Sequence, residues 1–444
     1  MDIEDIQRAL GGTQKGQSLH DLVRLLYPIC RSITGEGVRQ TLRHLQQHIP
    51  LEICEVPSGT KVFDWTVPLE WNIRDAYIAT AAGERVVDFQ ASNLHVVSYS
   101  TPVKGRYKLE DLAGHLHSLP DRPDWIPYRT SYYKENWGFC LTHHQLTELK
   151  GSEYEVCIDS TLSPGHLSYG EVFLPGERKE EVLISCHVCH PSLCNDNLSG
   201  IAVATYLAKA IGNLDRKYSY RFLFLPGTIG SITWLARNRE RAHLIRHGLV
   251  LTGIGDSGDV TYKRSRQGNS YIDRTFAHVL KQRGPGYQVV DFSPYGYDER
   301  QYCSPGFNLP VGCFMRTTHG EYPEYHTSAD NLEFVVPRVL QDSLNILLQA
   351  VYVLENDVVP ISLNPHCEPQ LGKRGLYRAI AGQKEGAQKE MALLWVLNLS
   401  DGAHSLLDIA ERANVPFEVI HAAARALRDC QLLEEAPVVP ATRH

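Results

Sequence analysis

The sequence predicts an α/β protein: a mixed sheet flanked by helices, interrupted by a small β-rich insert and followed by a winged-helix-like tail. Three observations lead there. Apolar strand-like runs alternate with helical ones from Tyr154 to about Leu354, the pattern of a sheet covered by helices on both faces. Between Lys61 and Lys150 the alternation gives way to aromatics, prolines and short alternating runs. Beyond Pro360 a loop rich in Pro and Gly leads into helical rhythm. The expected domains are residues 1–60 with 151–360 for the α/β body, 61–150 for the insert and 365–440 for the tail.

The elements follow in order. Leu19–Ile49 reads as helices, with TLRHLQQHI as an apolar-periodic stretch, and Leu51–Val56 as a strand entering the sheet. The insert holds VFDWTVPLEWNIRDAYI and SNLHVVSYS, then an aromatic-rich run from Trp125 to Gln145. The body continues with strand Val182–Ser185, helix Ser199–Ile211, strand Arg221–Leu225, helix Ile232–Arg237 and strand Leu249–Thr252. Helix Ile272–Gln282, strands Tyr287–Phe292 and Val311–Met315, and helix Pro337–Leu354 close it. In the tail, Leu394–Leu397 is apolar, and Ser405–Glu435 has the rhythm helix, turn, helix, with Pro416 at a helix start.

Bulk properties remove some functions. At 444 residues the chain is long enough for two or three domains. No apolar run approaches the roughly 18 residues of a membrane span. The acidic, amphipathic start MDIEDIQRALGG is not a secretory signal. Eleven cysteines without an export signal point to reduced thiols and a cytoplasmic protein. A net charge of −7 gives no support to nonspecific nucleic-acid binding.

The chemistry concentrates in SCHVCHPSLCNDNLSG, Ser185–Gly200. His187 falls where a strand ends, and Asp196 just before a helix begins. Carboxyl ends of strands in such sheets are where ligands gather. Imidazole and carboxylate there suit zinc, bound at about 2.0–2.2 Å with one position open. Each residue alone has an ordinary reading: His187 as a loop residue, Asp196 as a helix N-cap. A thiolate site from Cys186, Cys189 and Cys194 lacks the second Cys-x-x-Cys that zinc ribbons need. Asp256, in GIGDSG, and His326, in EYHTSADN, also come soon after strand-like runs. One acid or imidazole after each of several strands is a pattern that loop composition does not explain.

The order His…NDN-SG…D…YHTSAD resembles the M28-like zinc aminopeptidase superfamily. More closely it is similar to its aminopeptidase-like, DUF4910-type subfamily, often linked to polysaccharide or natural-product biosynthesis. RSITGEGVRQTL, YKRSRQGNSYIDR and DERQYCSPGFNLPVG strengthen the resemblance, which spans nearly the whole chain. It implies a zinc-peptidase-like fold, an inserted β domain and a C-terminal winged helix. It also implies zinc ligands at His187, Asp196, Asp256 and His326, with Asp256 either a fourth ligand or a partner behind the ligands. His190 is an alternative on spacing alone; the resemblance selects His187.

The chain departs from the pattern at three places. Cys189 stands where an Asp follows the first His. In FLFLPGTIGS, Gly227 replaces the general-base Glu and Thr228 a ligand Glu. General acid–base assistance typically contributes about 10²–10⁴-fold, so the catalytic residue is unassigned. Asp298, Glu299, Glu321 and Glu324 are candidates by their loops only.

Two functions lead, and a third, a winged-helix regulator with a sensor domain, is disfavoured by the acidic balance. One is a zinc-dependent hydrolase cleaving an amide or aminoacyl bond of a small polar or peptide-like substrate. The other is a catalytically impaired relative that binds a ligand or partner. Arg264 and Arg316 are candidate binders of a substrate carboxylate or phosphate, although arginines are commonly surface charge. Tyr132, Tyr133 and Trp137 either close over the pocket or pack as core residues of the insert. The tail's second helix carries Arg425 and Arg428 against Glu418 and Asp429. That balance favours a protein contact over DNA, which needs a basic face. A homo-oligomer is compatible with the chain.

Overall fold

The computed structural model describes residues 15–376 and 384–436, so the amphipathic start at residues 1–12 lies outside the described residues. Among these, an eight-stranded sheet runs in the order Glu52–Pro57, His166–Leu174, Ser219–Leu225, Glu181–His187, Ile245–Leu251, Val311–Met315, Val260–Lys263 and Tyr287–Val290. The four central strands are mutually parallel. The first two strands are antiparallel to each other, and His166–Leu174 is antiparallel to Ser219–Leu225. Val260–Lys263 is antiparallel to Val311–Met315.

The central strands are apolar because both faces are covered. Every residue of Glu181–His187, Ser219–Leu225 and Val311–Met315 is buried, and such strands read as continuous rather than alternating apolar runs. Two charges buried among them are matched. Arg221 meets Glu181 at 2.6 Å and also bonds Glu171. Parallel order puts the carboxyl ends of Glu181–His187, Ser219–Leu225 and Ile245–Leu251 on one edge. His187 is the last residue of its strand and Gly227 follows the neighbouring strand closely.

The strands His166–Leu174 and Val260–Lys263 were not visible as strands in the sequence. Val260–Lys263 is short, and its residues include the buried cation Lys263. Helix Ile229–Arg237 starts three residues earlier than the periodicity suggests.

A second sheet has the order Arg85–Asp88, Glu70–Ala79, Glu153–Ser163, Val103–Lys108. Its third strand comes from beyond residue 150. Trp71, Val156, Ile158 and Phe139 from this region share one core with Leu183, Leu223 and Val311 of the main sheet.

The chain divides into two compact units. Of the described residues, one comprises 15–273 and Gly286–Asn345, and holds both sheets. The other comprises Arg274–Pro285, 346–376 and 384–436. Within it, helices Lys384–Leu399, Leu406–Ala413 and Phe417–Asp429 are joined by a two-stranded sheet, Pro360–Ser362 with Leu433–Glu435. Ser405 and Asp408 form a reciprocal N-terminal cap of the middle helix. Asn414 ends that helix in the left-handed conformation, φ 54°. No helix among the described residues is long and apolar enough to cross a membrane.

Candidate metal centre

His187 leaves the sheet with its ring buried. Asp196 lies in a wide turn, Cys194–Ser199, that precedes helix Gly200–Gly212. Asp196 (φ −110°, ψ 82°) and Asn197 (φ −142°, ψ 36°) depart from helical values there. Asp196 therefore caps no helix; Ser199 occupies the N-cap. Its carboxylate faces three imidazoles instead. His187 Nε2 is 2.8 Å from Oδ1, His326 Nε2 is 3.1 Å from Oδ2 and His190 Nε2 is 3.9 Å from Oδ2. The Tyr297 hydroxyl donates to Oδ2 at 2.9 Å and lies 3.0 Å from the Tyr325 hydroxyl.

Burial opposes ionisation of Asp196, yet the facing imidazoles hold its pKa well below the usual carboxylate range. Burial pulls His190 down to about 3, so it is a neutral imidazole at neutral pH. Neutral nitrogen beside ionised carboxylate is the donor set zinc prefers. The ligand atoms of His187, His190 and Asp196 lie within 4.8 Å of one another. His326 stands on the other Asp196 oxygen, and these residue types fit a zinc ion. Burial raises the Cys189 thiol to about 12, which keeps it protonated and poorly suited to ligation.

The turn holding Asp196 is fixed from several sides. Asp330 accepts from the amides of Asn195 at 2.6 Å and Asp196 at 3.0 Å. Asn195 and Asn197 bond to the segment after strand Ile245–Leu251, through Gly255 N, Gly253 N and Leu251 O. A Cβ on Gly200 would lie 2.4 Å from Asn197 Oδ1, so the helix can begin this close to the turn only with glycine. On the other side, buried Arg31 clamps the carbonyls of His190 at 2.7 Å, Pro191 at 2.8 Å and Leu26 at 2.7 Å.

His326 takes a left-handed backbone conformation, φ 56°, and the insert holds it there. Tyr128 N donates to His326 O at 2.8 Å, and Ile126 and Ser328 exchange bonds at 2.8 and 2.9 Å. Tyr128 presents its ring edge-on to His190 and His326 at 5.2 and 5.1 Å.

Asp256 is not among these groups. Its oxygens meet Thr317 Oγ1 at 2.6 Å, Gly258 N at 2.8 Å and Asn195 Nδ2 at 3.0 Å. It thus supports Asn195, the neighbour of Asp196.

The aromatic and cationic candidates fall elsewhere. Tyr132 bonds the Tyr128 hydroxyl at 2.9 Å and packs against the insert's core, and Trp137 stacks on His115 at 3.7 Å. Tyr133 is half exposed beside Trp65. Arg316 is buried and holds Gly258 O, Ser343 and Asp342. Arg264 meets Gly268 O and Asp291. The reason is tertiary: a guanidinium has five donors, and a carbonyl, a hydroxyl and a carboxylate within the fold claim those of Arg316. The cleft beside His326, about 730 Å³, is lined instead by Arg122 and Arg129 together with Tyr128 and Tyr325. Sequence reading missed that pair, and it missed His190 as a companion of His187 rather than its substitute. It also missed Tyr297; the motif-bearing loop that carries it was the only signal.

His187 and Asp196, both buried, meet the partly exposed His326 at the carboxyl edge of a mixed sheet, with a cleft beside His326, and the fold that holds them is aminopeptidase-like. The comparisons with known proteins agree. A peptidase M28 precursor from Shewanella amazonensis SB2B superposes with a TM-score of 0.54 at 15% identity, covering 79% of this chain and 95% of that one. A zinc aminopeptidase from Bacillus subtilis gives 0.54 at 12%, covering 77% and 95%. Both likenesses are of fold alone.

The chain belongs to the family described as a domain of unknown function, DUF4910, whose model matches residues 20–357; a winged helix-turn-helix model matches residues 359–435. It is 52% identical to a Clostridium acetobutylicum protein named for polysaccharide biosynthesis with an aminopeptidase-like domain, over 97% of this chain and 100% of the relative. A crystal structure of a peptidase so described from the same organism superposes with a TM-score of 0.92 at 51% identity, covering 98% and 99%.

Proposed function

We propose that this protein is a zinc-dependent amide hydrolase of the aminopeptidase-like kind, acting on a small polar metabolite. The observation that carries the reading is the shared, buried Asp196 carboxylate, met on its two oxygens by His187 and His326. Bound zinc would supply Lewis acidity, polarising a carbonyl and acidifying a water. The chain's own groups would do the rest. Tyr297 and Tyr325 offer hydroxyls at the mouth of the cluster. Arg122 and Arg129 face the cleft and suit a carboxylate or phosphate on the substrate. The name of the Clostridium relative suggests a biosynthetic setting, and we extend it to this chain.

Purified protein is expected to carry one zinc per chain by elemental analysis. His187→Ala and His326→Ala should each lose most of it. Full zinc in both variants would overturn the ligand assignment. Turnover of aminoacyl 4-nitroanilides, with and without an acidic side chain, tests the activity. A second reading is favoured by Gly227 and Thr228, which remove both carboxylates that related peptidases place at this turn. It is a chain that binds its ligand without cleaving it, and zinc without turnover of any amide would support it.

A further inference from the structure

The space beside Gly227 is bordered by a carboxylate from another element. A Cβ on Gly227 would lie 3.2 Å from His187 Cβ, 3.4 Å from Asp298 Oδ2 and 3.7 Å from Asp298 Oδ1. Asp298 is fully buried. Its Oδ1 lies 2.7 Å from Ser231 Oγ, while Oδ2 meets no donor among the described residues. The ordinary role for an Asp at this place is to cap the short helix Glu299–Tyr302, but its side chain makes no capping bond. A buried carboxylate oxygen without a donor is destabilising. The surrounding structure nevertheless holds it in place. Lys263 and Glu299 form a buried ion pair at 2.8 Å, Lys263 also bonds Tyr295 O at 2.6 Å, and Tyr297 N donates to Glu299 at 3.0 Å. These bonds fix the segment that carries both Tyr297, on Asp196, and Asp298, beside Gly227.

We propose that Asp298 is the proton carrier of the hydrolysis, supplying from a different loop the carboxylate that Gly227 lacks. The inference rests on the hydrolase reading above. A water at the cluster gives one proton to Asp298 as its oxygen bonds to the amide carbonyl carbon. Asp298 returns that proton to the amide nitrogen as the C–N bond breaks. The products are a carboxylic acid and an amine, and the carboxylate is regenerated. Glycine at 227 is what leaves room for this; any side chain there would fill the gap between His187 and Asp298. Burial raises the Asp298 pKa to about 6, a value suited to taking and giving a proton near neutral pH. Oδ2 is closed to bulk water in the free chain, and contacts of catalytic acids and bases commonly complete themselves only with substrate bound.

Zinc-loaded protein and aminoacyl 4-nitroanilides test it. Asp298→Asn keeps the shape and removes the proton site. It should retain zinc and KM while kcat falls about 10²–10⁴-fold. Formate added to Asp298→Ala should restore part of the rate. Asp298→Asn with kcat within threefold of wild type overturns the proposal, and so does loss of zinc, which would make Asp298 a ligand. Should Asp298→Asn fail to fold, the relocated pair Gly227→Glu with Asp298→Ala decides. A rate at least tenfold above Asp298→Ala alone supports a movable carboxylate, and no gain overturns it. Wild-type protein that holds zinc and cleaves no amide overturns the hydrolase reading itself, an outcome distinct from an active wild type with an equally active Asp298→Asn.

Discussion

Asp298 illustrates how a single side chain sets function against stability. Its folded pKa, about 6 through burial, lies above the value near 3.9 of an unfolded Asp. The folded state therefore binds the proton more tightly. Ionising the group costs folding free energy, absent below about pH 4 and fully present above about pH 6, on the order of 3 kcal/mol. Asp298→Asn should accordingly raise the melting temperature of metal-free protein at pH 8 and leave it nearly unchanged at pH 4. Equal shifts at both pH values would contradict the burial argument. Stabilisation with loss of turnover is the usual sign of a functional group kept at a cost. His187, Asp196 and His326 stood out as candidates in sequence because each falls at or soon after a strand-like run. The role of Asp298 could not be read there, because its place beside Gly227 comes from packing between residues 71 positions apart.

At the scale of elements, the centre depends on segments that contribute no ligand. Arg31 lies 159 positions from His190 and holds its carbonyl together with those of Pro191 and Leu26. Burial lowers its pKa to about 10, which leaves it charged at neutral pH. Arg31→Ala would leave the His190 carbonyl without its donor, remove one of two donors from Pro191 O and Leu26 O, and release the loop beside His187 and Asp196. We expect a loss of stability of about 3 kcal/mol and zinc affinity about 10–100-fold lower. Thermal melts and competition with a chelator measure the two. Unchanged zinc affinity would show that the clamp serves the fold alone. The segment Ile126–Tyr128 acts similarly on His326. The phrase beginning at Arg31 thus stood out in the sequence without a reason that local pattern could supply.

At the scale of the whole molecule, the tail has a winged-helix form with an unusual charge balance for DNA. Helix Phe417–Asp429 carries Arg425 and Arg428 with Glu418 and Asp429, and Arg428 is paired with Glu435 at 2.9 Å. Two acids of the preceding helix, Asp408 and Glu411, bond Arg274 within the same unit. With a net charge of −7, little is left to neutralise phosphates. No specific DNA binding is expected at physiological salt. A salt-sensitive mobility shift on a defined duplex at nanomolar protein would reverse this, and would move the tail from protein contact to regulation of genes.

The sequence by itself determined the fold class, the order of the central strands' elements, the winged-helix tail and the likeness to zinc aminopeptidases. It could do so because buried parallel strands and amphipathic helices write their periods into the chain locally. Glycine at 200 and the polar residues of the Asn195–Asn197 turn are local demands too. The tertiary structure alone decided which polar groups reach the cluster. Arg316 and Asp256 look like site residues in one dimension, yet buried carbonyls, amides and hydroxyls claim their hydrogen bonds. His190, Tyr128 and the Tyr297–Asp298 pair lie on three separate segments, yet folding brings them to the space around His187. A hydrogen bond is satisfied by whichever partner folding brings within about 3 Å, and neither composition nor period records that distance.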